Sequence, residues 1–344
     1  MTPALTVAPF AGEAAEWDAF VRSQAGWTHF HLYGWRRVIE TVFGHECVFL
    51  AARDAGGRLV GVLPLVRVRS ALFGHFLVSM PFVSYGGPLG GASAERALMD
   101  DAESRASGTH VKLLQIRARR ALETALPVGH QKLTVVVDIP EGGPEALFKQ
   151  LGNKMRTKIR KPQKEGVEVR WGRDQLEPFH RILARNMRDL GTPVQSQRFY
   201  EVIADTFPES TWFACGYLNG EPVSGGCGFI WDREMEITWS SSLRLASGIR
   251  PGYFLHWCFL ERAAQEGCTI ANFGRSTPNS GTHEYKQQWG GRDEPLWWYY
   301  RSADGKVSTP NPDDGAYSMG PRLWKKLPVP VATWLGPKIV KSIP

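Results

Sequence analysis

The sequence predicts an α+β protein with mixed sheets, built as two domains of one topology. Three observations carry this reading. A chain of 344 residues holds two domains of ordinary size. Short apolar runs separated by turn residues form an antiparallel meander, and a helix and a further parallel strand follow it, which is a mixed rather than a doubly wound arrangement. The pattern then occurs twice: FLAARDAGGRLVGVLP at 49–64 and WFACGYLNGEPVSGGCGF at 212–229 share strand, glycine-bearing turn and return strand. The reading divides the chain into domains at 1–142 and 143–326 with a tail at 327–344.

In the first half, an amphipathic segment surrounds Trp17, Phe20 and Val21. Residues 31–43 are predicted helical, because Leu32, Trp35, Ile39 and Phe43 share one face. Residues 47–53 and 59–68 form a hairpin across Asp54-Ala55-Gly56-Gly57. A third strand spans 76–83 and ends in Ser84-Tyr85-Gly86-Gly87-Pro88. A helix at 94–106 and strands at 111–116 and 133–139 complete the half. His45 follows Gly44 at a helix end, where it suits a C-terminal cap.

The second half begins with one basic helix over 145–161. Helices at 175–190 and 196–207 follow. Strands at 212–218 and 222–231 flank Asn219-Gly220, a type I′ hairpin signal, and a third strand covers 234–241. The next helix has both ends marked. Pro251 suits a first turn and Gly267 the residue past the end. Phe254, Leu255, Trp257, Cys258, Phe259 and Ala263 surround it, so it is expected to be buried. A short strand at 269–273 empties into Gly274, Arg275, Ser276 and a polar loop, 283–289. Ligands of open α/β sheets bind at such carboxyl ends of strands. The tail carries Pro328, Pro330, Pro337 and Pro344, which argues against a long helix. Its alternating apolar and basic residues fit a surface strap or a contact with a membrane surface.

Apolar content of 43% and charged content of 22% exclude a disordered chain. A net charge of +7 favours an anionic partner without choosing one. The five cysteines show no metal-like spacing and read as buried thiols of a reducing compartment. No secretory leader and no spanning run is evident, so a cytoplasmic location is expected, with peripheral contact at the inner membrane. Thirteen Trp serve either core packing or a carbohydrate or peptide surface. Seven cations between Lys149 and Lys164 stand without an intervening acid, on a solvated face or against an anionic partner. Arg156 and Arg160, one turn apart, suit a diphosphate. Arg275, beside Asn272 and Ser276, suits a carboxylate or phosphate, or an ion pair that ties the loop down. The glycines after Tyr85 permit close approach of a ligand or simply a turn.

The repeat, the segment GIRPGYFLHWCFLERAAQEGCTIANFGRS and the later EYKQQWG resemble the FemAB-like family of tandem GNAT acyltransferases. Trp257, Asn272-Phe273-Gly274, and Tyr285-Lys286 with Trp289-Gly290 match its motifs in order. FHLYGWRRVIETVFGHE, LVSMPFVSYGGPLG and NKMRTKIRKPQKEG further resemble the branch associated with exosortase/PEP-CTERM exopolysaccharide clusters. The likeness covers nearly the whole chain. Two features depart from the family pattern: the second half lacks a long coiled-coil arm, and Gly248-Ile249-Arg250-Pro251-Gly252 stands in place of an Arg-x-x-Gly-x-Gly pyrophosphate loop.

The resemblance implies two GNAT-like (acyl-CoA N-acyltransferase) domains and transfer of an acyl or aminoacyl group to an amine. The expected acceptor is a peptidoglycan, exopolysaccharide or other cell-envelope precursor, as an anionic glycan, a nucleotide-sugar or a lipid-linked form. Acyl-CoA or aminoacyl-tRNA is the expected donor, with no tightly bound cofactor. Such chemistry needs alignment, a neutral amine and a stabilised oxyanion. Lys286 suits the oxyanion or a phosphate, Tyr285 a substrate hydrogen bond or proton transfer, and His283 a base. Asn272, Gly274, Arg275, Ser276, Trp289, Tyr85, Gly86, Arg156 and Arg160 are the expected binding residues. Two other readings stay open: a non-catalytic protein that binds a glycan or lipid-linked precursor within an assembly complex, and an RNA-binding protein working through the basic helix.

Overall fold

The computed structural model describes residues 5–70, 74–108, 111–302 and 319–343. The chain divides into two compact units. One takes the described residues of 1–132, 295–310 and 341–344, and the other those of 133–294 and 311–340. Each unit is built on its own mixed sheet.

The first sheet runs in the order Thr6–Pro9, Glu46–Arg53, Leu59–Ser70, Gly74–Ser79, Leu113–Ala118, Trp297–Ser302 and Val128–Gly129, with Leu89–Gly90 beside Leu59–Ser70. Only the pair Gly74–Ser79 and Leu113–Ala118 is parallel among those neighbours. Helix Ala92–Gly108 covers one face, with Leu98 and Ala102 packed among Leu50, Leu63, Leu65, Leu114 and Ile116.

Three expectations here are corrected. The helix of 31–43 is a 3₁₀ turn, His29–His31, followed by helix Trp35–Phe43. His31 is buried and tied on both sides: its Nδ1 accepts from the Thr28 N–H (3.1 Å), so its Nε2 donates to the Gly87 carbonyl (3.0 Å). The strand of 76–83 stops at Ser79, because Met80 and Phe82 adopt positive φ (48° and 71°). Nor does His45 cap its helix. Gly44 takes that place at φ +68°, and the His45 Nε2 meets the Lys341 carbonyl at 2.6 Å.

The second sheet runs Arg292–Pro295, Leu133–Asp138, Ile270–Ser276, Glu234–Ser242, Glu221–Trp231, Thr211–Leu218 and Glu168–Trp171. Helix Pro251–Gln265 packs on it and is buried nearly all round, as its apolar circumference requires. Gly226 lets it close on the sheet: a Cβ there would lie 2.8 Å from the Phe259 ring. Phe259 is itself fully buried, and its loss would cost about 3–5 kcal/mol.

Four further corrections belong to this unit. Strand 133–139 was expected to close the first half. It pairs instead with Ile270–Ser276, from Ile270↔Asp138 to Ser276↔Leu133, and Val135 and Val137 enter the second core. Conversely, Trp297–Ser302 leaves this stretch and pairs with Leu113–Ala118 of the first sheet. The basic helix of 145–161 is two helices, Gly143–Gln150 and Asn153–Lys164, separated at Leu151 and Gly152. A short helix, Met319–Trp324, precedes the tail, and the tail is helical at Val329–Val340. Pro330 falls in the first turn there, where no N–H is missed, and Pro337 falls within the last turns.

Candidate functional site

Strands Glu234–Ser242 and Ile270–Ser276 run parallel but pair only from Glu234↔Ile270 to Glu236↔Asn272. Beyond that point they part. Each carries a bulge there against its outer neighbour. One falls between Ile237 and Trp239, opposite Gly228 and Cys227, and the other between Asn272 and Arg275. Asn272 builds the second bulge. It is fully buried, its Oδ1 accepts from the Gly274 N–H (2.8 Å) and the Thr134 hydroxyl, and its Nδ2 donates to Glu234 (2.8 Å). Gly274 sits at φ +67°, and a Cβ on it would lie 3.0 Å from the Ile237 carbonyl oxygen. The position therefore demands glycine.

Residues 283–289, expected as a loop, lie largely within helix Gly281–Gln287. Ser280 caps it, accepting from the His283 N–H (3.2 Å). The His283 ring holds it in place. Its Nδ1 accepts from the Asn279 N–H (3.0 Å), so Nε2 carries the proton and donates to Asp293 (2.9 Å). Both ring nitrogens are engaged within the fold.

This helix delivers Lys286 to the parted strands. The side chain is 8% exposed, and its Nζ donates to the carbonyls of Gly274 (2.8 Å) and Arg275 (3.0 Å). An ammonium has three N–H donors, so two hold carbonyls and a third remains. Burial pulls the Lys286 pKa down to about 7; the Glu236 carboxylate opposes that and Arg275 adds to it. Glu236 is fully buried on the facing strand. A cation removed from water beside carbonyls and one carboxylate is poised between its two protonation states at neutral pH.

Tyr285 points to a second buried group, His256. The His256 Nδ1 donates to the Gly252 carbonyl (2.7 Å), leaving Nε2 to accept from the Ser240 hydroxyl (3.2 Å), and the Tyr285 oxygen lies 3.1 Å from Nδ1. Burial, with Lys286 adding repulsion, lowers the His256 pKa to about 4, so the ring is neutral at pH 7. Burial raises the Tyr285 phenol, which stays protonated. Gly252 brings the N-terminus of helix Pro251–Gln265 to the same place, since a Cβ on it would lie 2.8 Å from the Ser242 hydroxyl. Pro251 lacks an N–H and the Tyr253 N–H bonds the Arg250 carbonyl (3.1 Å), so what this helix start offers an anion is the positive end of its dipole.

The remaining expected residues distribute unevenly. Ser276 ends its strand buried, with a hydroxyl that has no hydrogen-bond partner among the described residues. Arg275 has an exposed side chain. Trp289 is 1% exposed and packs against Phe273 (5.5 Å) and Tyr253 (6.2 Å), so it belongs to the core. On the basic helix Arg156 bonds Asn153 and Arg160 lies over the Phe148 ring (5.1 Å). Burial of Met155, Ile159 and Pro162 sets the roll of that helix so that Lys158 and Lys161 turn to the site instead. Lys158 meets Gln288 and lies 5.2 Å from the Tyr253 ring; Lys161 donates to the Gly248 carbonyl (2.7 Å). Tyr85 and Gly86 lie in the first unit. There Tyr85 is buried against Phe30 (5.4 Å) and Arg119 (5.1 Å), and a Cβ on Gly86 would strike Met80 at 2.3 Å. Their close approach is to their own chain.

Sequence reasoning missed His256, Ser240 and Glu236, and among the seven cations of the basic helix it singled out Arg156 and Arg160 rather than Lys158 and Lys161. His256 had a signal, a polar residue on a helix expected to be apolar all round. Glu236 had a weaker one, an acid amid a buried strand.

Residues 149–287 match the family described as acetyltransferase (GNAT) domain. No curated protein matches the chain. Among solved structures, FemX is similar at a TM-score of 0.64 and 14% identity, over 84% of this chain and 96% of that one. L-PGS from Bacillus licheniformis gives 0.56 and 13%, over 96% and 97%. A tandem GNAT protein from the clavulanic acid biosynthesis pathway gives 0.56 and 11%, over 89% and 100%. With its two mixed sheets, and a GNAT domain within the second unit, the chain has the mixed α/β fold of tandem GNAT proteins.

Proposed function

We propose that the second unit is an N-acyltransferase centred on Lys286. The observation that carries this is the placement of a buried ammonium, two of its N–H groups held by the carbonyls of a bulge, where two parallel strands part. The acceptor's neutral amine attacks the donor's ester or thioester carbonyl, and a C–N bond forms. The carbonyl oxygen becomes an oxyanion, which takes the third Lys286 N–H. Collapse breaks the C–O or C–S bond. The neutral Tyr285 phenol, held beside His256, donates a proton to the leaving group and regains one from the new amide nitrogen. His283 positions the Lys286 helix rather than serving as a base, because neither ring nitrogen is spare.

The donor's phosphates are taken by the start of helix Pro251–Gln265 together with Lys158 and Lys161. Ser276, with its unmatched hydroxyl, and Arg275 contact the acceptor. The similar fold of the tandem GNAT protein supports acyl-CoA as the first donor class to test, and the FemAB-like motifs support aminoacyl-tRNA as the second. The likeness to the exopolysaccharide-associated branch supports an amino-bearing envelope or exopolysaccharide precursor as acceptor.

Mass spectrometry of an acceptor screen with acyl-CoAs and charged tRNAs tests the reading. Lys286→Ala is expected to lower kcat by about 10²–10³, the effect of removing one oxyanion donor, with unchanged circular dichroism. Equal turnover by parent and variant would overturn the assignment.

A further inference from the structure

The last two helices, Met319–Trp324 and Val329–Val340, present an unusual outer face. In Val329–Val340 the buried positions are Ala332 and Gly336, one turn apart, and Gly336 packs so closely that a Cβ would lie 2.7 Å from the Val194 carbonyl oxygen. The opposite face carries Val331, Trp334 and Lys338, at helical spacings of three and four. It is apolar where a surface helix is ordinarily polar. Trp334 is 64% exposed and Val331 39%. On the neighbouring helix, Met319–Trp324, Leu323 is 62% exposed.

Both helices dock on one stretch, the end of helix Leu176–Leu190 and the residues after it. Gly191 meets Pro321 and Lys325, Arg188 donates to the Leu327 carbonyl (2.8 Å), and Val194 receives Gly336. Leu190, on that stretch, is 50% exposed. The apolar side chains are therefore gathered locally. Cations stand among them: Arg322, Lys325, Lys326 and Lys338, with no acid in residues 319–340. Asp189, on the docked stretch, is paired with Arg188 (2.8 Å). The Lys338 ammonium lies 3.3 Å from the centroid of the Trp334 ring.

We propose that this face docks on the surface of an anionic lipid bilayer. The pattern matches the two needs of an interfacial helix: apolar side chains that enter the headgroup layer, and cations that meet lipid phosphates. Trp is suited to that depth, since its ring is apolar and its N–H finds polar partners. The 12-residue helix is about 18 Å long, short of the ~30 Å hydrocarbon core. No helix among the described residues is long and apolar enough to cross a membrane. The helix therefore lies on the surface. This inference is independent of the transferase reading, because binding is read without donor or acceptor.

Co-sedimentation of the full chain with vesicles tests it. Phosphatidylcholine vesicles containing phosphatidylglycerol are expected to pull the protein down, and phosphatidylcholine alone is not. Raised salt should release it. Trp334→Ala should weaken binding about tenfold. Lys325→Gln with Lys326→Gln should weaken it about 25-fold, roughly fivefold per charge. Both variants alter exposed side chains, so thermal melting should coincide with the parent. Failure to sediment with the anionic vesicles, or sedimentation indifferent to both variants, overturns the proposal. So does vesicle-free self-association abolished by Trp334→Ala, which would assign the face to a second copy of the chain.

Discussion

In the first unit the strands Gly74–Ser79 and Leu113–Ala118 pair in parallel from Phe76↔Leu113 to Val78↔Gln115 and then separate, as Glu234–Ser242 and Ile270–Ser276 do in the second. A cation holds backbone carbonyls at each separation, but the outcomes differ. In the first, the Ser79 hydroxyl accepts from the Arg117 N–H (2.7 Å). The Arg117 guanidinium, 2% exposed, reaches Gln115 (2.7 Å), the Met80 carbonyl (3.4 Å) and the Val83 carbonyl (3.2 Å), and lies 4.6 Å from the Trp298 ring. The gap is filled by the chain itself. In the second, Lys286 holds two carbonyls and keeps one donor, and the buried Ser276 hydroxyl at the end of that strand has no partner among the described residues. One arrangement of parted strands is thus filled by packing in the first unit and, on the proposed reading, serves the reaction in the second. The difference lies in the residue that enters the gap rather than in the strands.

The largest effect that separates the two gaps is expected from Arg117→Ala. It leaves loop carbonyls without their donor inside the first unit and should cost about 3 kcal/mol or more of stability, read by denaturant unfolding. Turnover per folded molecule should hold. A loss of turnover as deep as that of Lys286→Ala, in protein still folded, would give both gaps a part in the reaction.

Lys286→Met sharpens the contrast through pH. In the unfolded chain a lysine keeps its proton up to about pH 10.4, whereas folded Lys286 releases it near 7. Below 7 both states are protonated and burial of the charge weighs fully against folding. Between those values the unfolded state binds the extra proton, so the parent gains stability as pH rises. The stability of Lys286→Met relative to parent should therefore be greatest near about pH 6.5 and decline by about 2–3 kcal/mol toward about pH 9.5. A flat difference would mean that the ammonium is not desolvated.

His283→Ala should cost about 1–3 kcal/mol, since Asp293 and the Asn279 N–H lose their partner. Because the ring only holds the Lys286 helix, kcat should fall less than in Lys286→Ala, and its pH profile should keep its shape. A profile that loses one limb would restore a base role to His283. Gly274→Ala is expected to have the smallest effect, about 1–2 kcal/mol, from its φ of +67° and the nearby Ile237 carbonyl. Thermal melting reads it.

Local signals made much of this legible. Asn219 and Gly220 both take positive φ (52° and 80°), as a type I′ turn requires. Pro251 and Gly267 mark the buried helix as expected, with Gly267 at φ +78°. The Tyr-Lys motif pointed to Lys286, but no local pattern tells that a lysine will be buried or which carbonyls it will meet. The exchange of strands was illegible for a related reason. Leu133–Asp138 is buried on both faces from Leu133 to Val137, so it suits the interior of either sheet, and only distant partners decide. The same holds for Arg156 and Arg160: their spacing is visible in the sequence, but the roll of the helix is set by what Met155 and Ile159 pack against.

The strand Trp297–Ser302 carries a consequence for how the protein is made. Its partner Leu113–Ala118 leaves the ribosome far earlier, with Trp297↔Ala118 separated by 297 − 118 = 179 residues. At about 5–20 residues per second, that edge waits on the order of ten seconds or more for its neighbour. Through that interval the nascent first sheet is open to pairing with other chains, so slowed translation before Trp297 should favour aggregation, and fragments cut before it should require a chaperone.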